Sequence, residues 1–267
     1  MTSTTLAHPT PRPRLDPTTP TVSRVMAALR DGKDAFPADR CAAAQLPAEM
    51  AAVPPVLRRA ARDAVTAMAV TYGIRQILCL GSDLPHDEDP HVILARAYAG
   101  TGIAPRTAYV DHDAVVIAHS RAYRGDFSDP WGVASVDADV RNVGPVLQQA
   151  ARMIDLAQPV GMLLPCAMFI PDQDAGALLY DYSARLAPGS VVWLTYAGPM
   201  LTAAAAAWNA CVPTHMVTRH SATVQGWLKM AGLTDIAIRP LKPLSEIDQR
   251  PTGLRSALAV KRCSDAR

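Results

Sequence analysis

The chain has 267 residues, of which 49% are apolar and 19% charged. That suits one large domain with its own core and excludes wholesale disorder. The formal net charge is +2, and the 22 arginines and 4 lysines never run more than two in succession. Neither a nucleic acid nor an anionic membrane surface is therefore expected as a partner. The 47 alanines and the excess of arginine over lysine read as the codon usage of a GC-rich bacterial genome. No apolar run reaches the roughly 18 residues of a membrane span. The N-terminus lacks a basic-then-apolar signal pattern. The 5 cysteines are odd in number and lack metal-knuckle spacing, so they read as reduced thiols of a cytoplasmic protein.

Residues 1–21 hold Pro9, Pro11, Pro13, Pro17 and Pro20 among threonines and read as a disordered or extended arm. Helices are predicted over 22–31, 38–46 and from Pro54 to Thr71. Residues 22–72 are expected to form a helical lid, and 73–267 the main domain. Ile74 to Leu80 is predicted as a strand, and its apolar run Ile77–Leu80 is of the kind buried on both faces of a parallel sheet. A loop to Pro90 and a helix from His91 to Ala99 follow. The pattern then repeats, with strands at Thr107–Val110, Val133–Val136, Val160–Leu164 and Val191–Thr195. The helices between them end at Tyr123, Ile154 and Leu186, and Asp113 is placed to cap the first. Helices from Pro199 to Trp208 and from Thr218 to Ala231 precede two final strands, Leu233–Arg239 and Leu254–Lys261. The link between those strands has room for a hairpin. Alternation of this length demands a mostly parallel sheet with helices on both faces. Ligands of such sheets bind beyond the carboxyl ends of the strands.

Three strand ends carry chemistry. Gly81-Ser82-Asp83 follows the first strand; a glycine there admits close backbone approach, and the N–H groups after it can hold an anion. Asp111-His112-Asp113 follows the second, where a carboxylate can accept two ribose hydroxyls. Asp137 and Asp139 follow the third, and a carboxylate there can accept from an exocyclic amine. His86 and His91 beside Asp87, Glu88 and Asp89 have ligand chemistry, but a solvated acidic loop is the simpler reading and no metal is expected. Met162, Met168, Met200, Met216 and Met230 are either ordinary core or adaptable apolar surface.

Taken together, these segments resemble the actinobacterial S-adenosylmethionine methyltransferase-like family, formerly a domain of unknown function. The matching residues are Gly32-Lys33-Asp34, Phe36, Asp39-Arg40, Gly73-Ile74-Arg75-Gln76, Gly81, Leu84-Pro85 and His91. They continue with Tyr109-Val110-Asp111, Asp113, Val115-Val116, Ala118-His119, Asp137-Ala138-Asp139 and Arg141. Pro159-Val160, Phe169-Ile170-Pro171-Asp172 and Pro188-Gly189-Ser190 complete the match, which spans about residues 22–240. The resemblance implies an α/β, class I methyltransferase-like (Rossmann-like) fold of seven strands, the last antiparallel. It implies that Gly81 and Ser82 approach the methionine end of the cofactor and that Asp111 and His112 hold the ribose. Asp139 would face the adenine, and Lys33 and Asp34 would close over the pocket.

The chain departs from that family's pattern inside the implied cofactor site. Cys79 stands for an Asp, Asp83 for a Gly, Asp89 for an Asn, Met168 and Tyr196 for His, and Leu57 for an Asn. Cys79 removes a charged acceptor, and a hydrogen bond to a charged group contributes roughly 1.5–3 kcal/mol. Asp83 brings like charge toward the cofactor carboxylate, or else offers the ammonium the charged acceptor that Cys79 does not. The expectation is a methyltransferase-fold protein of bacterial secondary metabolism with an eroded S-adenosylmethionine loop. It would be repurposed for cyclisation, elimination or displacement on a small-molecule substrate, with Asp83, His86 and Asp113 as catalytic groups. The alternatives are a working small-molecule methyltransferase and a non-catalytic subunit that completes a partner from the same pathway.

Overall fold

The computed structural model describes residues 15–125, 132–244 and 252–262. Strands β1 (Gln76–Leu80), β2 (Arg106–Asp111), β3 (Val133–Asp137), β4 (Gly161–Leu164), β5 (Val191–Ala197), β6 (Thr234–Pro240) and β7 (Leu254–Val260) form one sheet. Its order is β3-β2-β1-β4-β5-β7-β6. β1 to β5 pair in parallel, and β7 runs antiparallel to both neighbours. Every residue of β1 and β5 is buried, as the apolar runs Ile77–Leu80 and Val191–Leu194 require of strands covered on two faces.

The helices are α1 (Val22–Ala28), α2 (Pro37–Gln45), α3 (Val53–Tyr72), α4 (Pro90–Ala97) and α5 (Ala114–Tyr123). They continue as α6 (Val143–Ala150), α7 (Asp172–Arg185), α8 (Thr202–Cys211) and α9 (Ser221–Met230). α6, α7 and α9 bury their apolar stripes on one sheet face, α3 and α4 on the other. α1, α2, the start of α3 and α8 share a separate cluster with Met168 and Leu254. α3 starts on Pro54-Pro55, where the missing N–H groups are orphans anyway, and stops at Gly73.

Some boundaries differ from the predicted ones for identifiable reasons. The last helix starts at Ser221 and not at Thr218, because the preceding backbone is spent elsewhere. Val217 N–H donates to Met168 O at 2.8 Å and Arg219 N–H to Ala197 O at 2.8 Å, and Thr218 bridges Ala197. α1 ends three residues early because Asp31 takes a left-handed φ of +55° and Gly32 N–H closes back on Ala27 O at 2.9 Å. Residues 1–14 of the expected arm and most of the β6–β7 link lie outside the described residues. Met162, Met168 and Met216 are core, whereas Met200 and Met230 are each 67% exposed.

The chain runs outward from β1 through β2 to β3, then returns to lay β4 and β5 on the other side. The order therefore reverses between β1 and β4, which opens a crevice at their carboxyl ends. Gly81 leaves β1 there with φ +77°, a conformation that costs other L-residues roughly 1–2 kcal/mol. A Cβ on it would stand 2.2 Å from Cys166 Sγ, just beyond β4. Gly81→Ala is expected to lower the unfolding free energy by about 2–3 kcal/mol through strain and overpacking. Adding Cys166→Ala is expected to recover the overpacking part alone, about 1 kcal/mol, since it removes the Sγ and leaves the Cys166 Cβ position at 3.4 Å while the backbone strain stays. Denaturant midpoints measure both, and an unchanged loss in the double variant would refute the steric account.

Candidate functional site

A cavity of about 700 Å³ lies at this reversal. Gly81, Ser82, Asp83 and Asp111 line one part. Pro54, Leu57, Phe169, Ile170 and Pro213 make another part apolar, and the Phe169 ring packs on Trp208 with centroids 5.0 Å apart. Leu15, Asp16 and Thr19 also line it. They are held by Arg24, which is 1% exposed. Its guanidinium donates to Asp16 O at 3.0 Å, to Thr19 O and to Thr21 Oγ1 at 2.9 Å, and pairs with Asp39 Oδ1 at 3.4 Å. Part of the segment expected to be an arm is thereby tied down over the cavity, because a buried arginine has five donors to satisfy and these carbonyls supply acceptors.

Asp111 ends β2 almost fully buried. Oδ1 accepts from His112 N–H at 2.8 Å and Asp113 N–H at 3.0 Å, and Oδ2 from Ser82 N–H at 3.0 Å. The carboxylate thus fixes the two ligand-facing turns to each other. A carboxylate has about four acceptor positions, so with three taken there is capacity for one further donor, a single ribose hydroxyl. Burial pushes its pKa above the ordinary carboxylate value, against the opposing effect of the Asp113 N–H.

Asp83 keeps a left-handed backbone, φ +56°, which Asp tolerates better than most residues. Its Oδ2 stands 3.6 Å from Arg30 Nη1 and 3.6 Å from Arg58 Nη2. Burial lowers the Arg30 pKa, offset in part by Asp83, and the Arg58 charge lowers it further. Cys79 is buried in the cavity wall, and burial pushes its thiol up to about 12, so it presents no negative charge at neutral pH.

The other predicted residues are more fully committed to the fold. Asp113 caps α5, with Oδ1 accepting from Val115 N–H at 2.8 Å and Oδ2 from Thr21 Oγ1 at 2.5 Å. His86 Nδ1 accepts from Glu88 N–H at 3.2 Å, and Nε2 faces Asp89 Oδ1 at 3.3 Å. Burial lowers its pKa despite Asp89, so the ring is neutral at pH 7 with both nitrogens engaged. Asp139 is gripped by Arg141, whose Nη2 lies 2.6 Å from Oδ2 and whose backbone N–H lies 2.9 Å from Oδ1. Burial raises the Asp139 pKa and the Arg141 hydrogen bonds outweigh it, for a net lowering. His112 and Asp139 both line the cavity; Lys33 and Asp34 are not among its lining residues. Asp34 instead meets His119 Nε2 at 3.1 Å. Residues 15–24, and not 32–34, occupy the closing position. His91 bonds the Tyr109 hydroxyl at 2.7 Å, and no cluster of three His, Cys, Asp or Glu suited to a metal occurs among the described residues.

Arg24, Arg30, Arg58, Arg124 and His215 escape the sequence reading. Arg124 is fully buried. Nε and Nη2 meet the Asp89 carboxylate at 2.7 and 2.9 Å, Nη1 donates to Asp83 O at 3.0 Å, and Nη2 to Ser82 O at 3.2 Å. It also lies 4.2 Å from the Tyr109 ring centre. Burial alone would lower its pKa; Asp89 reverses that. His215 lies on the loop whose Thr214 carbonyl accepts from Trp208 Nε1 at 2.8 Å and lines the cavity.

A seven-stranded sheet of this order, with a glycine turn after β1 and a buried carboxylate after β2, defines the class I methyltransferase-like fold. Residues 8–235 match the S-adenosyl methyltransferase family, and the chain belongs to it. It is similar to a putative methyltransferase from Thermobifida fusca, with 27% identity, a TM-score of 0.77, and 94% of this chain and 98% of that one covered. A DUF574 family protein from Streptomyces avermitilis is 23% identical with a TM-score of 0.75, covering 93% and 100% of the two chains. The fold extends to magnesium protoporphyrin IX methyltransferase from Synechocystis with bound SAH, at 14% identity and a TM-score of 0.51, covering 79% and 86%. No curated protein matches the chain significantly. Among the described residues no helix is long and apolar enough to cross a membrane.

Proposed function

We propose that this chain is an S-adenosylmethionine-dependent methyltransferase acting on a small, largely apolar acceptor of bacterial secondary metabolism. The observation that carries the reading is the Gly81–Asp111 pair at the sheet reversal. A glycine turn without a side chain lines the cavity beside a buried carboxylate with spare acceptor capacity. That pair suits a nucleoside. Arg58, Asp83 and Ser82, beside it, suit a charged amino-acid tail. When bound, the cofactor supplies a methyl group already activated on its sulfonium sulfur. The chain therefore needs chiefly to align the acceptor and exclude water. Pro54, Leu57, Phe169 and Pro213 would hold an apolar acceptor, and the residues around Thr19 that Arg24 ties down would close over it.

Calorimetry with S-adenosylmethionine and S-adenosylhomocysteine tests the reading, and micromolar binding of both is expected. A second reading, non-methylating chemistry in the same cleft, is favoured by Cys79, whose neutral thiol gives an ammonium no charged partner there. Absence of binding at high protein concentration would refute the methyltransferase reading in favour of the second.

A further inference from the structure

The loop after α8 borders the apolar part of the cavity, and its backbone is fixed on both sides of His215. Trp208 Nε1 donates to Thr214 O at 2.8 Å. The Asn209 amide meets both backbone groups of Met216, accepting from its N–H at 2.7 Å and donating to its O at 3.1 Å. Val217 N–H donates to Met168 O at 2.8 Å, and the Met216 side chain is buried. His215 sits between these anchors and lines the cavity with Pro213 and Thr214. It is exposed, and its imidazole makes no hydrogen bond among the described residues. A firmly held backbone that presents an unengaged side chain to a cavity is what aligning a reacting group demands.

Elsewhere on the cavity wall the proton-accepting groups are engaged. Asp113 holds Val115 N–H and Thr21, His86 has both ring nitrogens occupied, and Asp139 is gripped by Arg141. Burial pushes the Cys79 and Cys166 thiols far up. His112 also has a side chain without a hydrogen bond, but it follows Asp111 on the nucleoside side. His215 belongs to the apolar side, because the Trp208 ring that anchors Thr214 also packs on Phe169.

The walls there narrow the acceptor. Phe169, fixed against Trp208, stands with Pro54, Pro171 and Pro213. Aromatic and proline rings offer flat, rigid apolar surface, which suits a planar ring better than a flexible chain. A hydroxyl on such a ring ionises at about pH 10, as tyrosine does, far more readily than an aliphatic alcohol. An imidazole, which exchanges protons near neutrality, suffices to take that proton as the oxygen reacts.

We propose that the acceptor is a phenol, its ring lying along Phe169 and the prolines and its hydroxyl proton taken by His215. The phenolic oxygen attacks the methyl carbon, and the O–C bond forms as the S–C bond breaks. The electron pair of the broken bond stays on sulfur as a thioether, and the phenolic proton passes to a ring nitrogen of His215. This rests on the methyltransferase reading above.

The probes are p-cresol and p-nitrophenol, the second of which ionises without help. In the S-adenosylhomocysteine complex at neutral pH, the phenolate absorbance of p-nitrophenol is expected to rise on binding to the unaltered protein and not to His215→Gln. With S-adenosylmethionine, His215→Gln is expected to lower kcat for p-cresol by about a hundredfold and for p-nitrophenol by less than about tenfold. Its affinity for S-adenosylhomocysteine is expected to stay within about threefold of the parent. Equal losses with the two phenols, or a phenolate rise that survives His215→Gln, would overturn the role of His215. Binding of S-adenosylhomocysteine without binding of either phenol would overturn the phenol assignment and leave the methyltransferase reading standing. Absence of S-adenosylhomocysteine binding would overturn both.

Discussion

Arg124→Met is expected to destabilise the protein by about 3–5 kcal/mol, the usual cost of stripping one partner from a buried ion pair. The guanidinium is fully buried, and three of its nitrogens hold the Asp89 carboxylate, Asp83 O and Ser82 O. Methionine fills much of the volume but donates nothing. Asp89, 2% exposed, would keep its charge with only His86 facing it, and two loop carbonyls would go without their donor. Asp89→Leu added to Arg124→Met is expected to recover much of the stability, because replacing both members of a buried pair by apolar groups is often neutral. Denaturant melts of the two variants decide the matter. A single variant within about 1 kcal/mol of the unaltered protein would mean that the pair does not hold the turn. Nucleoside affinity is expected to fall alongside stability, since the same guanidinium pins the backbone that meets the ligand.

Asp111→Asn is expected to weaken S-adenosylhomocysteine binding by about a hundredfold or more, equivalent to losing one or two charge-assisted hydrogen bonds. The amide oxygen of Asn can still accept from His112 and Asp113. Its NH2 would then face the Ser82 N–H, donor against donor, where Asp111 Oδ2 now accepts at 3.0 Å. The substitution thus removes charge from the hydroxyl site and loosens the turn that carries Asp83. The pH dependence has a definite sign. Burial raises the Asp111 pKa, and the ionised form is the one that keeps an acceptor position for a ribose hydroxyl beside the three backbone N–H groups. Affinity is therefore expected to decline as pH falls through a range above the ordinary carboxylate value. Calorimetry across that range checks this, and the Asn variant is expected to lack the decline. Affinity in the variant within about threefold of the parent would remove Asp111 from the site.

Much of the architecture is legible residue by residue. The apolar runs Ile77–Leu80 in β1 and Val191–Leu194 in β5 announce strands buried on two faces. Pro54-Pro55 and Gly73 bracket α3, and Asp113 announces its own capping role. Asp111 is found by position alone, as the carboxylate that leaves the second strand beside a reversal in strand order. All of these are local signals, because a cap, a turn or an apolar run is complete within a few residues.

The charged partners of the site are another matter. Arg30, Arg58 and Arg124 sit in helical or loop sequence with no nearby pattern to distinguish them. In a chain with 22 arginines their residue type carries little information. Arg124 finds Asp89 across 35 residues and Ser82 across 42. Arg58 meets Asp83 only because α3 lies against the sheet. Sequence by itself settled the order of strands and helices along the chain, and with it the sheet edge at which a ligand is expected, since backbone hydrogen bonding and apolar burial act locally and repetitively. Only the tertiary structure decided which charges meet there. An ion pair depends on through-space distance after packing, and nothing in the spacing of Arg30, Arg58 and Asp83 along the chain encodes it.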